Sequence, residues 1–415
     1  MHSWKARIPG LILSILCLCP GLAAQETAPP ELGSRAAVLL DIATGAVLYS
    51  KNPDLEIPPA SLAKLMTMHL VLEELAAGRA LLDEIVALPP ESWAVNQPPR
   101  SSLMFLNAGQ EVTLRELLLG LAIPSGNDAA VAVALRFAPS VEAFAELMNQ
   151  EAQALGLSRT RFVEPSGVSE YNLTTALEYA FFCREYVLRH PGALTEYHTL
   201  PEFAYPKPEN VAARYREQPG TILQYNTNDL LGRVAGLDGL KTGYIDESGY
   251  NIALTAEREG TRFVAVLLGA GDRSMRNADG QALLEWAFAN YHTVRARVAA
   301  PEPAPVWKGA LDTTELVPAE GELLRGAGES PAYAFVYTAY ANRGYQLGYT
   351  IELDDPLVAP LAAGTPVGAL VFQDSRGEFR RVPLVTAAEV PQGSFFKRFW
   401  DSIRLFFRGI FKEKQ

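Results

Sequence analysis

The stretch that most constrains this chain is Pro58-Pro59-Ala60-Ser61-Leu62-Ala63-Lys64. Two prolines fix the approach and suit a helix start. Ser61 then stands at the helix mouth and Lys64 one turn further in. Residues three apart on a helix share a face, so hydroxyl and amine can meet. A serine hydroxyl is a weak nucleophile at neutral pH. A lysine held neutral by burial can take its proton. The unpaired N–H groups and positive end of the helix favour a developing oxyanion. Such a pair demands a helix packed deeply enough to bury a lysine. An isolated S-x-x-K is otherwise a capping serine and a snorkelling lysine.

Two further stretches change the weighting. Ile123-Pro124-Ser125-Gly126-Asn127-Asp128 joins helical runs at Leu114–Ala122 and Ala129–Phe137. Ser125 and Asn127 on one tight turn can both face a cleft, although the same residues are good turn and capping chemistry. Leu240-Lys241-Thr242-Gly243-Tyr244 precedes two apolar runs, 250–255 and 262–268, joined by Glu257-Arg258-Glu259-Gly260. A lysine, a hydroxyl and a bare backbone on a strand could receive an extended peptide as an added strand.

The rest of the chain sets the frame. At 415 residues it is too long for one ordinary domain. Its net charge of −11 argues against nucleic acid as a partner. Residues 1–24 read as an export signal, with Lys5 and Arg7 before the apolar run 11–18 and small residues at Gly21-Leu22-Ala23-Ala24. That run is short for a membrane span. Cys17 and Cys19 would leave with it, and Cys183 in an apolar helical run is read as core. Ala36–Leu40 and Val47–Tyr49 flank a Thr44-Gly45 turn and predict a hairpin covered on at least one face. On the helix after Ser61, His69 lies on the apolar side. No partner with metal-ligand spacing accompanies it, so it is read as a packed histidine, and neither a metal nor a cofactor is expected.

Together and in this order, S-x-x-K, S-x-N and K-T-G form the set of penicillin-binding proteins and class A β-lactamases. The chain resembles the low-molecular-mass penicillin-binding proteins, D-alanyl-D-alanine carboxypeptidases of the S11 serine peptidase type. The likeness extends through Leu65-Met66-Thr67, Ala129-Ala130, Gly249-Tyr250-Asn251 and Val266–Ala270 leading to Arg273 and Arg276. It implies an α/β (α+β) transpeptidase fold shared with the serine β-lactamases, with a five-stranded antiparallel sheet between helix clusters. It implies Ser61 as acylated nucleophile, Lys64 as general base and Ser125 as proton relay. Asn127 would position the substrate, Lys241 would set the field around Ser125, and Thr242 would meet the terminal carboxylate. Arg276 fits the carboxylate-holding arginine better than Arg273. Gly243 and the backbone of Tyr244 would border the substrate, the latter with Ser61 in the oxyanion hole. The implied reaction removes the terminal D-alanine from peptidoglycan stem pentapeptides, and β-lactams would acylate the same serine. The implied location is periplasmic, on the outer face of the cytoplasmic membrane.

The chain departs from the family in two places. Tyr244 stands where the family often has histidine. Glu164, in Phe162-Val163-Glu164-Pro165-Ser166-Gly167-Val168, stands where it usually has asparagine. Class A β-lactamases use a glutamate in a comparable place to activate the deacylating water, so a β-lactamase is the alternative function. A solvated or capping glutamate is the reading preferred here. A D,D-endopeptidase is a further alternative on the same motifs. A non-catalytic binding protein is disfavoured by the intact motif residues.

A Pro-rich stretch at 299–305 separates the peptidase domain, 25–296, from a β-rich domain, 306–391, with strand-like runs at 334–340, 346–353, 366–372 and 379–385. Residues 393–412 then predict an amphipathic helix. Phe395, Phe399, Ile403, Phe406, Phe407 and Ile410 share one face, while Lys397, Arg404, Arg408 and Lys412 fall largely elsewhere. Such a helix suits a membrane interface, with anionic headgroups attracting the basic residues.

Overall fold

The structure, a computed structural model, describes residues 5–9, 27–324, 331–340, 348–374 and 377–412. The chain divides into two compact units between Thr293 and Val294, just before the Pro-rich stretch.

The larger unit is built on a five-stranded antiparallel sheet. Its strands are β1 (Ala36–Asp41), β2 (Val47–Lys51), β3 (Leu237–Ile245), β4 (Gly249–Arg258) and β5 (Thr261–Ala270), in spatial order β2-β1-β5-β4-β3. The β1–β2 and β4–β5 hairpins fall where the turn residues place them. All of β1 is buried. Its alternate residues enter two different cores. Ala36, Val38 and Leu40 pack with α1 (Lys64–Ala76), α2 (Leu114–Ala122), α3 (Asn127–Phe137), α4 (Val141–Ala154) and α5 (Ala176–Arg189). Ala37 and Leu39 pack against Leu283, Leu284 and Ala287 of α6 (Arg273–Asn290). The sheet is therefore covered on both faces, and its near-continuous apolar strands follow from that. Strand β3 is an edge, paired only with β4 within the sheet. Lys241, Thr242 and Gly243 thus lie on an edge strand.

Four helix starts are capped by sequence, that of α6 by Asp272. Thr113 and Glu116 make a reciprocal capping box on α2, Ser140 caps α4 and Thr175 caps α5. The α2–α3 turn closes with Gly126 N–H donating to the Gly120 carbonyl at 2.8 Å.

The smaller unit is β-rich. The strands Gly348–Asp354, Pro366–Asp374, Gly377–Thr386 and Leu316–Pro318 form one antiparallel sheet, over a core of Leu370, Phe372, Val382 and Leu384. Lys5–Pro9, inside the stretch read as an export signal, pairs with the outer edge of Gly348–Asp354. The remainder of that stretch, residues 1–4 and 10–24, lies outside the described residues. The chain ends in α7 (Phe395–Lys412). Asp401 of α7 is buried and accepts from Lys308 N–H at 2.8 Å. Lys397 pairs with Asp312, and Arg408 with Asp355 at 2.8 Å. Phe395, Phe396, Phe399, Trp400, Phe406 and Phe407 are all more than half exposed. The side chains of Ile410 and Lys412 lie outside the described residues.

Candidate active site

Ser61 sits on a 3-10 turn, Ala60–Ala63, that runs directly into α1. Ala60 enters the turn at φ +52°, a left-handed conformation unusual for a residue with a side chain. The turn is pinned from several directions. The Tyr179 hydroxyl donates to the Leu62 carbonyl. Asn251 of β4 donates to the Pro58 carbonyl at 2.9 Å and accepts from Gly269 N–H at 2.8 Å. Gly243 of β3 lies so close that a Cβ there would stand 2.8 Å from the Pro59 carbonyl oxygen and 3.0 Å from the Ser61 nitrogen. The glycine of K-T-G is what lets the edge strand reach the nucleophile turn.

Lys64 is fully buried. Its Nζ lies 3.0 Å from Ser61 Oγ, 2.7 Å from Asn127 Oδ1 and 2.5 Å from the Ser166 carbonyl oxygen. Burial pushes its pKa down to about 7, against the opposing pull of Glu164 and Asp128. Two of the three neighbours can only accept. A neutral amine therefore donates its two N–H bonds to Asn127 and Ser166, and its lone pair is left for the Ser61 hydroxyl.

Ser166 owes its position to Glu164. One carboxylate oxygen accepts from Ser166 N–H at 2.7 Å and from its hydroxyl at 2.5 Å. The other accepts from Gly167 N–H and Asn172 Nδ2, both at 2.7 Å, and from Ser169 N–H at 3.3 Å. Both oxygens are thus engaged by the loop's own donors, in keeping with a capping glutamate. Gly167, at φ +85°, completes the contact: a Cβ there would fall 1.9 Å from the Ala60 carbonyl oxygen.

Ser125 and Asn127 stand together at the α2–α3 turn, both buried. Ser125 holds φ +65°, and its buried Oγ has no hydrogen-bond partner among the described residues. Such an atom is costly unless something else completes it. Asp128, next along, is buried, and burial raises its pKa. Its carboxylate accepts from Met104 N–H at 2.8 Å, Leu106 N–H at 3.0 Å and Ala129 N–H at 3.0 Å, holding the 102–106 segment against the turn.

On β3, Lys241 is fully buried, with Nζ 3.2 Å from the Thr242 carbonyl oxygen. Burial, then the charges of Lys64 and Arg276, push its pKa well down. Thr242 Oγ1 donates to Thr227 Oγ1 at 2.7 Å. Arg276, on α6, is buried. It donates to Asp229 at 3.2 Å and to Asn277 at 2.8 Å. Arg273 is largely exposed on the same aspartate, whose pKa these hydrogen bonds and charges bring to about 2. The Tyr244 side chain lies half-exposed at the rim. Its hydroxyl donates to Asp246 at 2.5 Å, and its ring packs on Tyr250 at 4.3 Å between centroids.

Local reading of the sequence did not reach the supporting residues. His198 is one. A carbonyl only accepts, so His198 Nδ1–H donates to the Leu240 carbonyl at 3.1 Å, and Nε2 accepts from Tyr186 OH at 2.8 Å. Thr227, Asp229 and Ser166 are the others. None carries a motif, although the Glu164…Asn172 spacing within one loop was an available signal.

The family model for D-alanyl-D-alanine carboxypeptidases, peptidase S11, matches residues 23–272. The chain belongs to the S11 peptidase family. Relatives span nearly its whole length. The Escherichia coli D-alanyl-D-alanine carboxypeptidase DacC is 32% identical over 94% of this chain and 92% of its own. DacF of Bacillus subtilis is 30% identical over 87% of each. Among solved structures, penicillin-binding protein 5 of Haemophilus influenzae superposes with a TM-score of 0.74 at 28% identity, covering 88% of this chain and all of that one. Penicillin-binding protein D2 of Listeria monocytogenes, in its cefotaxime-bound form, superposes with a TM-score of 0.55 at 30% identity, over 63% of this chain and all of its own. The S11 assignment makes this a serine-peptidase hydrolase with a penicillin-binding transpeptidase fold, as the motifs imply.

Proposed function

We propose that this S11 peptidase is a D-alanyl-D-alanine carboxypeptidase acting on peptidoglycan stem peptides through a Ser61 acyl-enzyme. The observation that carries this reading is the Lys64 amine. It is buried, poised near neutrality and has its lone pair free for the Ser61 hydroxyl. Ser61 Oγ attacks the carbonyl carbon of the penultimate D-alanine as Lys64 takes the hydroxyl proton. The backbone N–H groups of Ser61 and Tyr244 hold the oxyanion. Ser125, whose hydroxyl has no other partner among the described residues, gives its proton to the departing nitrogen as the C–N bond breaks and takes the Lys64 proton in its place, which returns Lys64 to the free amine. Free D-alanine leaves, and water hydrolyses the ester with Lys64 again as base. Asn127 positions the peptide, which lies along the open edge at Gly243. Thr242 and Arg276 hold its terminal carboxylate, and Lys241 supports the electrostatics around Ser125. A β-lactam enters the same chemistry, but its leaving nitrogen stays tethered.

Purified protein should release D-alanine from a pentapeptide ending in D-Ala-D-Ala, and Ser61→Ala should abolish release. A folded, penicillin-acylated wild type that releases none would overturn the reading. The engaged oxygens of Glu164 disfavour a β-lactamase. A Pseudomonas aeruginosa relative named D-alanyl-D-alanine endopeptidase is 31% identical but covers only 68% of this chain. The same assay run on a cross-linked dimer separates that activity.

Residues 1–24 act as an export signal in this reading, 25–296 as the peptidase domain and 306–391 as a non-catalytic β-rich domain. The enzyme is periplasmic, and α7 rests it on the outer face of the cytoplasmic membrane. Among the described residues no helix is long and apolar enough to cross one. Lys397 and Arg408 are engaged with Asp312 and Asp355, so the exposed aromatic side, more than basic charge, supports interfacial binding. Removing two phenyl groups at about 1.5 kcal/mol or more each should weaken binding roughly a hundredfold. Vesicle flotation of the full chain with Phe399→Ser and Phe406→Ser tests this, and unchanged flotation would exclude α7 as the anchor.

A further inference from the structure

His69, five residues beyond Lys64 on α1, has partners that sequence spacing did not reveal. His190, just past the end of α5, places Nε2 at 2.9 Å from His69 Nδ1. Glu73, one turn along α1 from His69, places Oε1 at 3.3 Å from the same His190 Nε2. One donor atom from each of the three lies within 4.8 Å of the others. On the other side of the His69 ring, Nε2 lies 3.0 Å from Oε1 of Glu151 on α4. His69 is fully buried, and His190 nearly so.

The hydrogen positions follow from the acceptors. An ionised Glu151 only accepts, so His69 Nε2 carries hydrogen and Nδ1 presents its lone pair. His190 Nε2–H then donates to His69 Nδ1, with the Glu73 carboxylate 3.3 Å away. One proton thus sits among three electron-pair donors, a place where a metal ion can replace it.

We propose that His69 Nδ1, His190 Nε2 and the Glu73 carboxylate form a zinc-type divalent metal site, separate from the Ser61 centre. A tetrahedral ion with bonds of about 2.0–2.1 Å keeps its ligand atoms about 3.3 Å apart. The 2.9 Å separation needs to open by a few tenths of an ångström and the 3.3 Å one already matches, while the third pair, within 4.8 Å, closes by a turn of the partly exposed Glu73 side chain. Binding releases the His190 Nε2 proton to solvent, and the ion takes the three lone pairs. Glu151 already makes the carboxylate–histidine contact that orients a metal-bound imidazole. Glu73 and Glu151 also line a cleft of about 540 Å³, which gives an ion a route in. The competing cation is Arg189, 3.9 Å from Glu73 and 3.5 Å from Glu151, which the ion would displace from Glu73. The occupied site would tie the helix bearing Lys64 to the end of α5.

The test uses the whole protein, stripped with a chelator and titrated with Co²⁺ and then Zn²⁺. One Co²⁺ per chain is expected, with the visible absorption of a four-coordinate site, displaced by Zn²⁺. Competition with a chromophoric chelator should show Zn²⁺ affinity falling about 10–100-fold in Glu151→Gln and by at least as much in Glu73→Gln. Both glutamates are partly exposed, so these variants should fold, and an unchanged circular dichroism spectrum checks that. His190→Asn should abolish the cobalt spectrum. No stoichiometric binding, or equal affinity in Glu73→Gln and wild type, would overturn the proposal.

Discussion

Moving the pH across neutrality perturbs the proposed chemistry at one group. Lys64 is brought from 10.5 to about 7 by burial. That lowering corresponds to roughly 5 kcal/mol, or on the order of a thousand times more free base at neutral pH than an ordinary lysine provides. Roughly one-eleventh of the amine is neutral a unit below its pKa and ten-elevenths a unit above. The second-order rate of Ser61 acylation by a fluorescent penicillin should therefore rise about tenfold between pH 6 and pH 8 and then level. Stopped-flow rates across pH 5.5–9.5 measure it. Glu164 and Asp128 raise the Lys64 pKa, so removing the Glu164 charge should move the midpoint down. A rate that climbs tenfold per unit through pH 9 would show an ordinary lysine. A rate flat from pH 5.5 would show that Lys64 is not the base. Either result refutes the reasoning.

Three further outcomes can be checked. Gly167→Ala drives a Cβ into the Ala60 carbonyl at φ +85° and should cost about 2–4 kcal/mol of stability while slowing acylation; a fall under 0.5 kcal/mol in urea unfolding would contradict the packing. Glu164→Gln leaves one acceptor oxygen for five loop donors and should cost about 2–3 kcal/mol, yet change the lifetime of the penicillin acyl-enzyme by less than about tenfold; a hundredfold or larger slowing of deacylation would instead support the β-lactamase reading. Burial lowers the His198 pKa from 6.5 to about 4, so in that window the unfolded chain binds a proton that the folded chain refuses. Stability should fall with pH there, by about 3 kcal/mol in full, and His198→Gln should flatten that part of the profile; parallel slopes for variant and wild type would show the coupling absent.

Local chemistry made much of this protein readable from its residues. The hairpins at Thr44-Gly45 and Glu259-Gly260, the helices α1 to α6 and four strands of the β-rich unit follow from turn residues and apolar periodicity, which act over a few positions. The strands Tyr291–Ala299 and Ala304–Trp307 instead flank and enter the stretch read as a linker, because their pairing partners are distant in sequence. The helical span of α7 was equally legible, but the engagement of Lys397 and Arg408 with Asp312 and Asp355 was not. The motif serines and lysines were visible because their spacing is itself local. Their chemical state was not. Lys64 becomes a base because α3 and the 164–167 loop, 63 and 102 residues away at their contact points, close over it and exclude water. Glu164 reads as a possible catalyst in sequence, but its five loop donors make it a brace. His69 reads as plain core until α5 brings His190 back to it across 121 residues. Sequence by itself determined which groups are present and which short elements carry them. Tertiary structure alone decided their partners and protonation, because desolvation and hydrogen bonding depend on what the folded chain packs around each group.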